Sequence, residues 1–130
     1  MRAVDTNIVI RYLTGDDQAQ TARARAVIDA GDVFISTTVL LESEWVLRSG
    51  YGFTPNEVST ALRALAGLPG IFVESPSLLH EALGHFDNGM DFADALHLGA
   101  ASQCEAFLTF DRRLIDVAAV NPHTSLTEPD

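Results

Sequence analysis

The sequence predicts a single α/β domain over residues 1–130, a three-layer α/β/α arrangement around a central, mainly parallel sheet of four or five strands. Two observations predict it. Short β-branched or aromatic runs alternate with longer stretches whose apolar residues recur at three- and four-residue spacing, and strand followed by helix, repeated, makes a parallel sheet covered on both faces. The chain's 130 residues, 47% of them hydrophobic, suffice for one compact core and not for two. No repeat, low-complexity tract or long Pro/Gly/Ser linker divides it.

In order, the first strand is read at Arg2 to Asp5 and leads into a helix over 7–13. A longer helical pattern over 17–30 precedes a strand from Asp32 to Ser36. Helices over 38–49 and 55–66 follow, and the turn Gly67-Leu68-Pro69-Gly70 joins them to a strand from Ile71 to Glu74. Helices over 77–86 and 91–103 come before a strand from Ala106 to Phe110, then a short helix over 112–119 and a last strand at Thr124 to Leu126. Several connections therefore contain two helices.

Composition removes whole classes of chemistry. Eighteen acids against eight bases give a formal charge of -10, which disfavours an unassisted grip on nucleic-acid phosphates or an anionic membrane and favours a basic partner or bound cations. All eight cationic side chains are Arg. Without Lys there is no P-loop lysine, Schiff base, kinase lysine or Ser-x-x-Lys nucleophile. The single cysteine, Cys104, excludes an internal disulfide and a cysteine zinc cage and permits a reducing compartment. The longest apolar run near the start, Ile8 to Ile10, is too short for a signal peptide or a membrane span, so a cytoplasmic protein is expected.

In open α/β sheets the ligand crevice lies outside the carboxyl ends of the strands, and at those places this sequence has acids. Asp5 closes the first strand in Ala-Val-Asp-Thr-Asn, and Asp111 closes a later one in Leu-Thr-Phe-Asp-Arg-Arg. Asp5 also suits a helix N-cap, whose short side chain accepts from free N–H groups. Glu42 falls within about 60° of Val39, Trp45 and Val46 on a helical wheel, which puts it in an apolar stripe where a charge needs a reason. Glu44 points the other way, four residues before Arg48, the favourable order for a surface ion pair. Asp91 and Asp94 share a helical face, with Leu98 and Ala101 continuing the line under Asp94. Asp94 is therefore the preferred inward acid and Asp91 a cap or an outer group, although Asp94 also suits the returning acid of a capping box.

Four segments each presenting an acid at one predicted edge would repel one another unless protonated or bridged by a cation. All-oxygen ligands select hard cations, and an open carboxylate cluster suits Mg²⁺ or Mn²⁺. Such ions hold a phosphodiester and lower the pKa of a water for in-line attack, as one ion or as two. No His/Cys pairing has zinc spacing. His80 and His85 lie on another helix, His97 stands one helical step from Asp94, and His123 lies near the tail.

Val-Asp-Thr-Asn at the N-terminus, the mid-chain Glu42, Asp-Phe-Ala-Asp-Ala and Thr-Phe-Asp together resemble the pattern of PIN-domain ribonucleases. At this length the resemblance is to the toxins of VapB–VapC toxin–antitoxin pairs. It implies that Asp5, Glu42, Asp94 and Asp111 are the catalytic acids binding Mg²⁺ or Mn²⁺, supported by hydrogen bonds from Thr6, Asn7 and Thr109. It further implies single-stranded RNA, transfer or messenger, as substrate, inhibition of translation, a homodimer, and a cognate VapB-like antitoxin that offers a basic side chain to the site. The net charge agrees in sign with a basic partner segment, and the apolar stretch from Thr38 to Leu47 offers it a groove wall. Arg11, Arg112 and Arg113 are candidates for phosphate contacts.

Two rivals are weighed. An aspartyl-phosphate phosphatase or a receiver domain also carries acids at parallel strand ends, but the Asp-x-Asp signature is broken by Asn7 and the lysine such sites use is missing. The non-enzymatic rival is a catalytically dormant domain of the same fold that binds a protein partner, which gains nothing from burying like charges.

Overall fold

A computed structural model of the chain describes residues 1–118 and 125–130. Of the sequence expectations, His123, the end of the helix at 119 and the start of the last strand at Thr124 lie outside the described residues. The chain forms two compact units, Met1–Pro76 and Ser77–Asp130.

In the first unit the order is β1 (Arg2–Ala3), α1 (Thr6–Thr14), α2 (Gln18–Ala30), β2 (Val33–Ile35), α3 (Thr37–Tyr51), α4 (Pro55–Ala66) and β3 (Ile71–Val73). The strands form one parallel sheet in the order β1-β2-β3, with Arg2 opposite Val33 and Val33 opposite Ile71. Side chains alternate across a strand. Val33, Ile35 and Ile71 accordingly face one way and are buried, whereas Phe72 on the other face is half exposed. Helices α1, α2 and α3 contribute Val9, Ile10, Ala24, Ile28, Leu40 and Leu47 to the buried apolar set. Each fully buried Val, Ile or Leu among them is worth roughly 1.5–3 kcal/mol.

Local chemistry sets the helix ends. Asp5, Asp17, Ser36 and Thr54 each accept a hydrogen bond from a backbone N–H in the first turn of α1, α2, α3 and α4. At α4 Thr54 and Glu57 form a reciprocal capping box ahead of Pro55 at the first helical position. Helices α1 and α3 stop at Gly15 and Gly52, both in the left-handed region.

The second unit contains α5 (Pro76–Asp87, whose first residue belongs to the other unit), α6 (Phe92–Ala100), β4 (Ala106–Leu108), α7 (Arg112–Ala118) and β5 (Ser125–Thr127). Strands β4 and β5 pair in parallel, Ala106 with Ser125 and Phe107 with Leu126. Leu79, Leu83, Phe86, Met90, Phe92 and Leu96 are buried, and the Phe86 and Phe92 rings meet edge to face at 5.6 Å.

The α/β class, the five strands and their parallel direction agree with the sequence reading. Their pairing differs: they are joined as a three-stranded and a two-stranded sheet instead of one sheet. Periodicity identifies a strand and its faces but carries no information about which edge it pairs with. No helix among the described residues is long and apolar enough to cross a membrane.

Candidate functional site

Asp5 leaves the carboxyl end of β1. The Val4 N–H still bonds to the Phe34 carbonyl at 3.2 Å, so the chain is held to β2 up to the residue before the acid. Asp5 Oδ1 then accepts from the Ile8 N–H at 3.2 Å, making it the N-cap of α1. Its other oxygen has no hydrogen bond among the described residues and the side chain is exposed. Behind it Thr6 is buried and Asn7 is exposed.

The ends of β2 and β3 are polar too. Ser36 caps α3 through the Val39 N–H at 3.2 Å. Glu74, one residue past β3, accepts from the Thr37 N–H at 2.9 Å, a carboxylate at the positive end of α3. Glu74 closes a predicted strand just as Asp5 does, and its strand-end position is the sequence signal that marks it.

On α3 the structure corrects the helical-wheel expectation. Glu42 is exposed, and the stripe expected to bury it is only half-buried at Val39 and Val46, with Trp45 59% exposed. The buried face is Leu40, Ser43, Glu44 and Leu47. Glu44, expected at the surface, is 2% exposed. Its ion pair with Arg48 does form, at 2.7 Å, and Ser43 Oγ donates to the Val39 carbonyl at 2.7 Å. Those bonds let a polar face turn inward, which apolar counting does not foresee. Glu42 keeps its place as an acid on the second turn of α3, without the burial argument.

In the second unit Asp91 caps α6, accepting from the Asp94 N–H at 3.2 Å. Asp94 does not complete a capping box, since its carboxylate makes no hydrogen bond among the described residues. Asp111 repeats the construction of Asp5: it follows a strand, and its Oδ1 accepts from the Leu114 N–H at 3.1 Å at the start of α7. Its own N–H donates to Thr109 Oγ1 at 3.0 Å, while the Thr109 N–H reaches the Thr127 carbonyl and holds that residue against β5. Partial burial pushes the Asp94 carboxyl above its ordinary range, the negative charges of Asp91 and then Asp111 push the same way, and His97 opposes them. Asp91, Asp94 and Asp111 therefore share one electrostatic neighbourhood.

Among the described residues no group of three or more His, Cys, Asp or Glu side chains is gathered to hold a metal ion. Carboxylates without a cation repel one another, and Asp5, Asp91 and Asp111 each spend an oxygen on a helix N–H. The donor set is nonetheless all oxygen, the chemistry that suits a hard divalent cation.

Of the Arg candidates, Arg11 is the most constrained, donating to Gln20 at 2.7 Å, Asp16 at 3.0 Å and Tyr51 at 3.2 Å. Arg112 lies 3.3 Å from Glu128 and Arg113 is exposed. His85 is buried, 3.8 Å from the Glu81 carboxylate, while His80 and His97 are exposed.

An α/β chain with capping acids at the exits of parallel strands defines the class. Within it, the chain belongs to the PIN-domain family, which it matches over residues 2–120. That fold is consistent with nuclease-like function. No individual curated protein matches the chain.

Proposed function

We propose that this protein is a Mg²⁺- or Mn²⁺-dependent endoribonuclease that cuts single-stranded RNA, transfer or messenger, and that it is the VapC-like toxin of a type II toxin–antitoxin pair, acting on translation. One observation carries the reading: Asp94 is partly buried within the field of Asp91 and Asp111, an arrangement that costs the protein energy unless the carboxyl is protonated or a cation is bound, and a bound cation removes that cost at neutral pH.

The proposed catalytic acids are Asp5, Glu42, Asp94 and Asp111. A divalent cation held by such carboxylates supplies positive charge to the phosphodiester and makes water a better nucleophile at neutral pH. The protein's own contribution is positioning. Asp5 and Asp111 are each fixed by a first-turn N–H of the following helix, and Thr109 fixes the Asp111 backbone. Each carboxylate thus keeps one oxygen for the cation or the attacking water, so less order has to be created on binding. Attack of water on phosphorus breaks one P–O ester bond, leaving a phosphate monoester on one fragment and a hydroxyl on the other.

A homodimer and a cognate VapB-like antitoxin are part of the proposal. The charge of -10 favours a basic partner segment, and Trp45 at 59% exposure, in the stretch from Thr38 to Leu47, offers it an apolar contact.

The test is cleavage of single-stranded RNA with added Mg²⁺ or Mn²⁺, in EDTA, and by folded Asp5→Asn, Glu42→Gln, Asp94→Asn and Asp111→Asn variants. Each variant should lose activity on the order of 100-fold or more, and EDTA should abolish it. Cleavage that persists in EDTA overturns the proposal. Failure of Mg²⁺ and Mn²⁺ to bind at millimolar concentration by calorimetry would favour the dormant interaction module.

A further inference from the structure

Asp5 borders a cavity of about 300 Å³ between α1 and α2, whose polar lining is Asn7, Arg11, Gln20 and Arg23. We propose that this cavity holds one nucleotide of a single-stranded RNA, next to the phosphate that is cut. Its phosphate lies on Arg23 and Arg11, and the acceptor edge of its base lies against Gln20 and Asn7. This rests on the RNA-cleavage reading above and adds to it a subsite and the residues that select sequence.

The charge distribution comes first. The chain has eight cations against eighteen acids, yet two of those cations line this one cavity. A third, Arg2, lines a neighbouring cavity of about 400 Å³ that shares Asp5, Ile8 and Val27 with it. Cations in the lining of both cavities that share Asp5, one of them paired with Asp16 and the others exposed, make a local track for a polyanion in a strongly acidic protein.

The donor inventory then fixes the kind of ligand. Arg11 Nε donates to Gln20 Oε1 at 2.7 Å, which turns the Gln20 acceptor away and leaves its amide N–H₂ as the group on offer. Arg11 also donates through Nη1 to Asp16 and Tyr51, so its head is held in place while Nη2 has no partner among the described residues. Arg23 is exposed and makes no hydrogen bond or ion pair among the described residues. Apart from Asp5 itself and the Asn7 amide oxygen, these polar groups present donors, as a phosphate and the oxygens and ring nitrogens of a base require.

The remaining wall is apolar. Ile8, Ala24 and Val27 line the same cavity, which gives the face of a base a dry surface, and its volume is at the small end of sites that take small organic groups. Unstacked bases of single-stranded RNA are read in this way, by contact on the ring face and hydrogen bonds on the edge.

Binding is measured in EDTA, by anisotropy of a fluorescein-labelled single-stranded RNA of random sequence about a dozen nucleotides long, between about 50 and 200 mM salt. Arg23→Gln should weaken binding by about 3- to 10-fold and reduce the slope of log K against log salt by about 0.7, the value of one single-strand phosphate. Arg25→Gln, an exposed position of the same helix outside the cavity, should change binding by less than about 2-fold. Gln20→Ala should leave the salt slope in place and relax the base preference at the cleavage site. Equal weakening by Arg23→Gln and Arg25→Gln means long-range charge alone and overturns the subsite. RNA cleavage by the wild type together with that equality overturns the subsite and leaves the nuclease reading standing. The expected binding pattern without cleavage in Mg²⁺ or Mn²⁺ overturns the nuclease reading and the placement beside a cut phosphate while leaving a nucleotide-binding cavity, and a chain that neither binds nor cuts RNA overturns both.

Discussion

Arg48 Nε donates to Glu44 Oε2 at 2.7 Å, and the carboxylate side chain is 3% exposed while the guanidinium side is 40% exposed. The two ends of this bond live in different dielectrics. Arg48→Met should strand a buried carboxylate and cost about 2–3 kcal/mol, between the values for surface and fully buried pairs. Glu44→Leu removes the buried charge itself and leaves a guanidinium side chain that is already 40% exposed, so it should cost less than about 1 kcal/mol. Urea midpoints read both, and a cost for Arg48→Met below that of Glu44→Leu would show that the pair does not hold α3 in place.

The same pair marks where the sequence stops being legible. Helix and strand positions follow from spacing and caps, so α1 through α5 begin and end within a residue or two of expectation. Asp5 and Asp111 were readable because one residue type both ends a strand and caps a helix, and Leu98 pointed Asp94 inward. Glu42 and Glu44 were not separable, because α3 carries two stripes and the more apolar one is only half-buried at Val39 and Val46 and exposed at Trp45. The bond from Thr37 to Glu74 depends on the register that sets Ile35 beside Val73, and the grouping of Arg23 with Asp5 depends on how α2 packs on α1. Both are long-range facts without a local signature.

Acid should weaken the first unit through Asp16. Its carboxyl is held below the ordinary range chiefly by a hydrogen bond from Tyr51; burial opposes this as the next largest influence, and a Thr14 hydrogen bond and the Arg11 charge add to the lowering. A folded-state value below the unfolded one stabilises the fold above the ordinary carboxylate range, and that contribution is lost as pH falls through the folded value. The difference in Tm between wild type and Asp16→Asn should be constant from about pH 7 to 5 and shrink toward zero below about pH 3. A difference that grows on acidification would contradict the assignment.

Gly70 and Gly99 are both tight, for unequal reasons. A Cβ on Gly70 would stand 2.7 Å from the Gly31 Cα, and its φ is +77°. Backbone cannot give way there, so Gly70→Ala should cost about 2 kcal/mol or more. At Gly99 the neighbour is Leu78 Cδ1 at 2.5 Å, the mobile tip of a side chain, and Ala is the better helix former. Gly99→Ala should therefore stay within about 1 kcal/mol of wild type. Reversal of that order in thermal melts would mean that the turn ending at Gly70 does not pack on Gly31.

Asp94 should trade stability for function. Burial and the charges of Asp91 and Asp111 raise its carboxyl above the ordinary range, so at neutral pH the ionised form opposes folding, whereas in acid the neutral form does not. Asp94→Asn should accordingly raise Tm by about 1–3 °C at pH 7 in EDTA, and the gain should fade toward pH 4. Millimolar Mn²⁺ should raise the Tm of the wild type through preferential binding to the folded state and leave the variant nearly unmoved. If Asn at this position lowers Tm in EDTA, the aspartate is a structural group, and the cost of its charge cannot be the sign of a cation site.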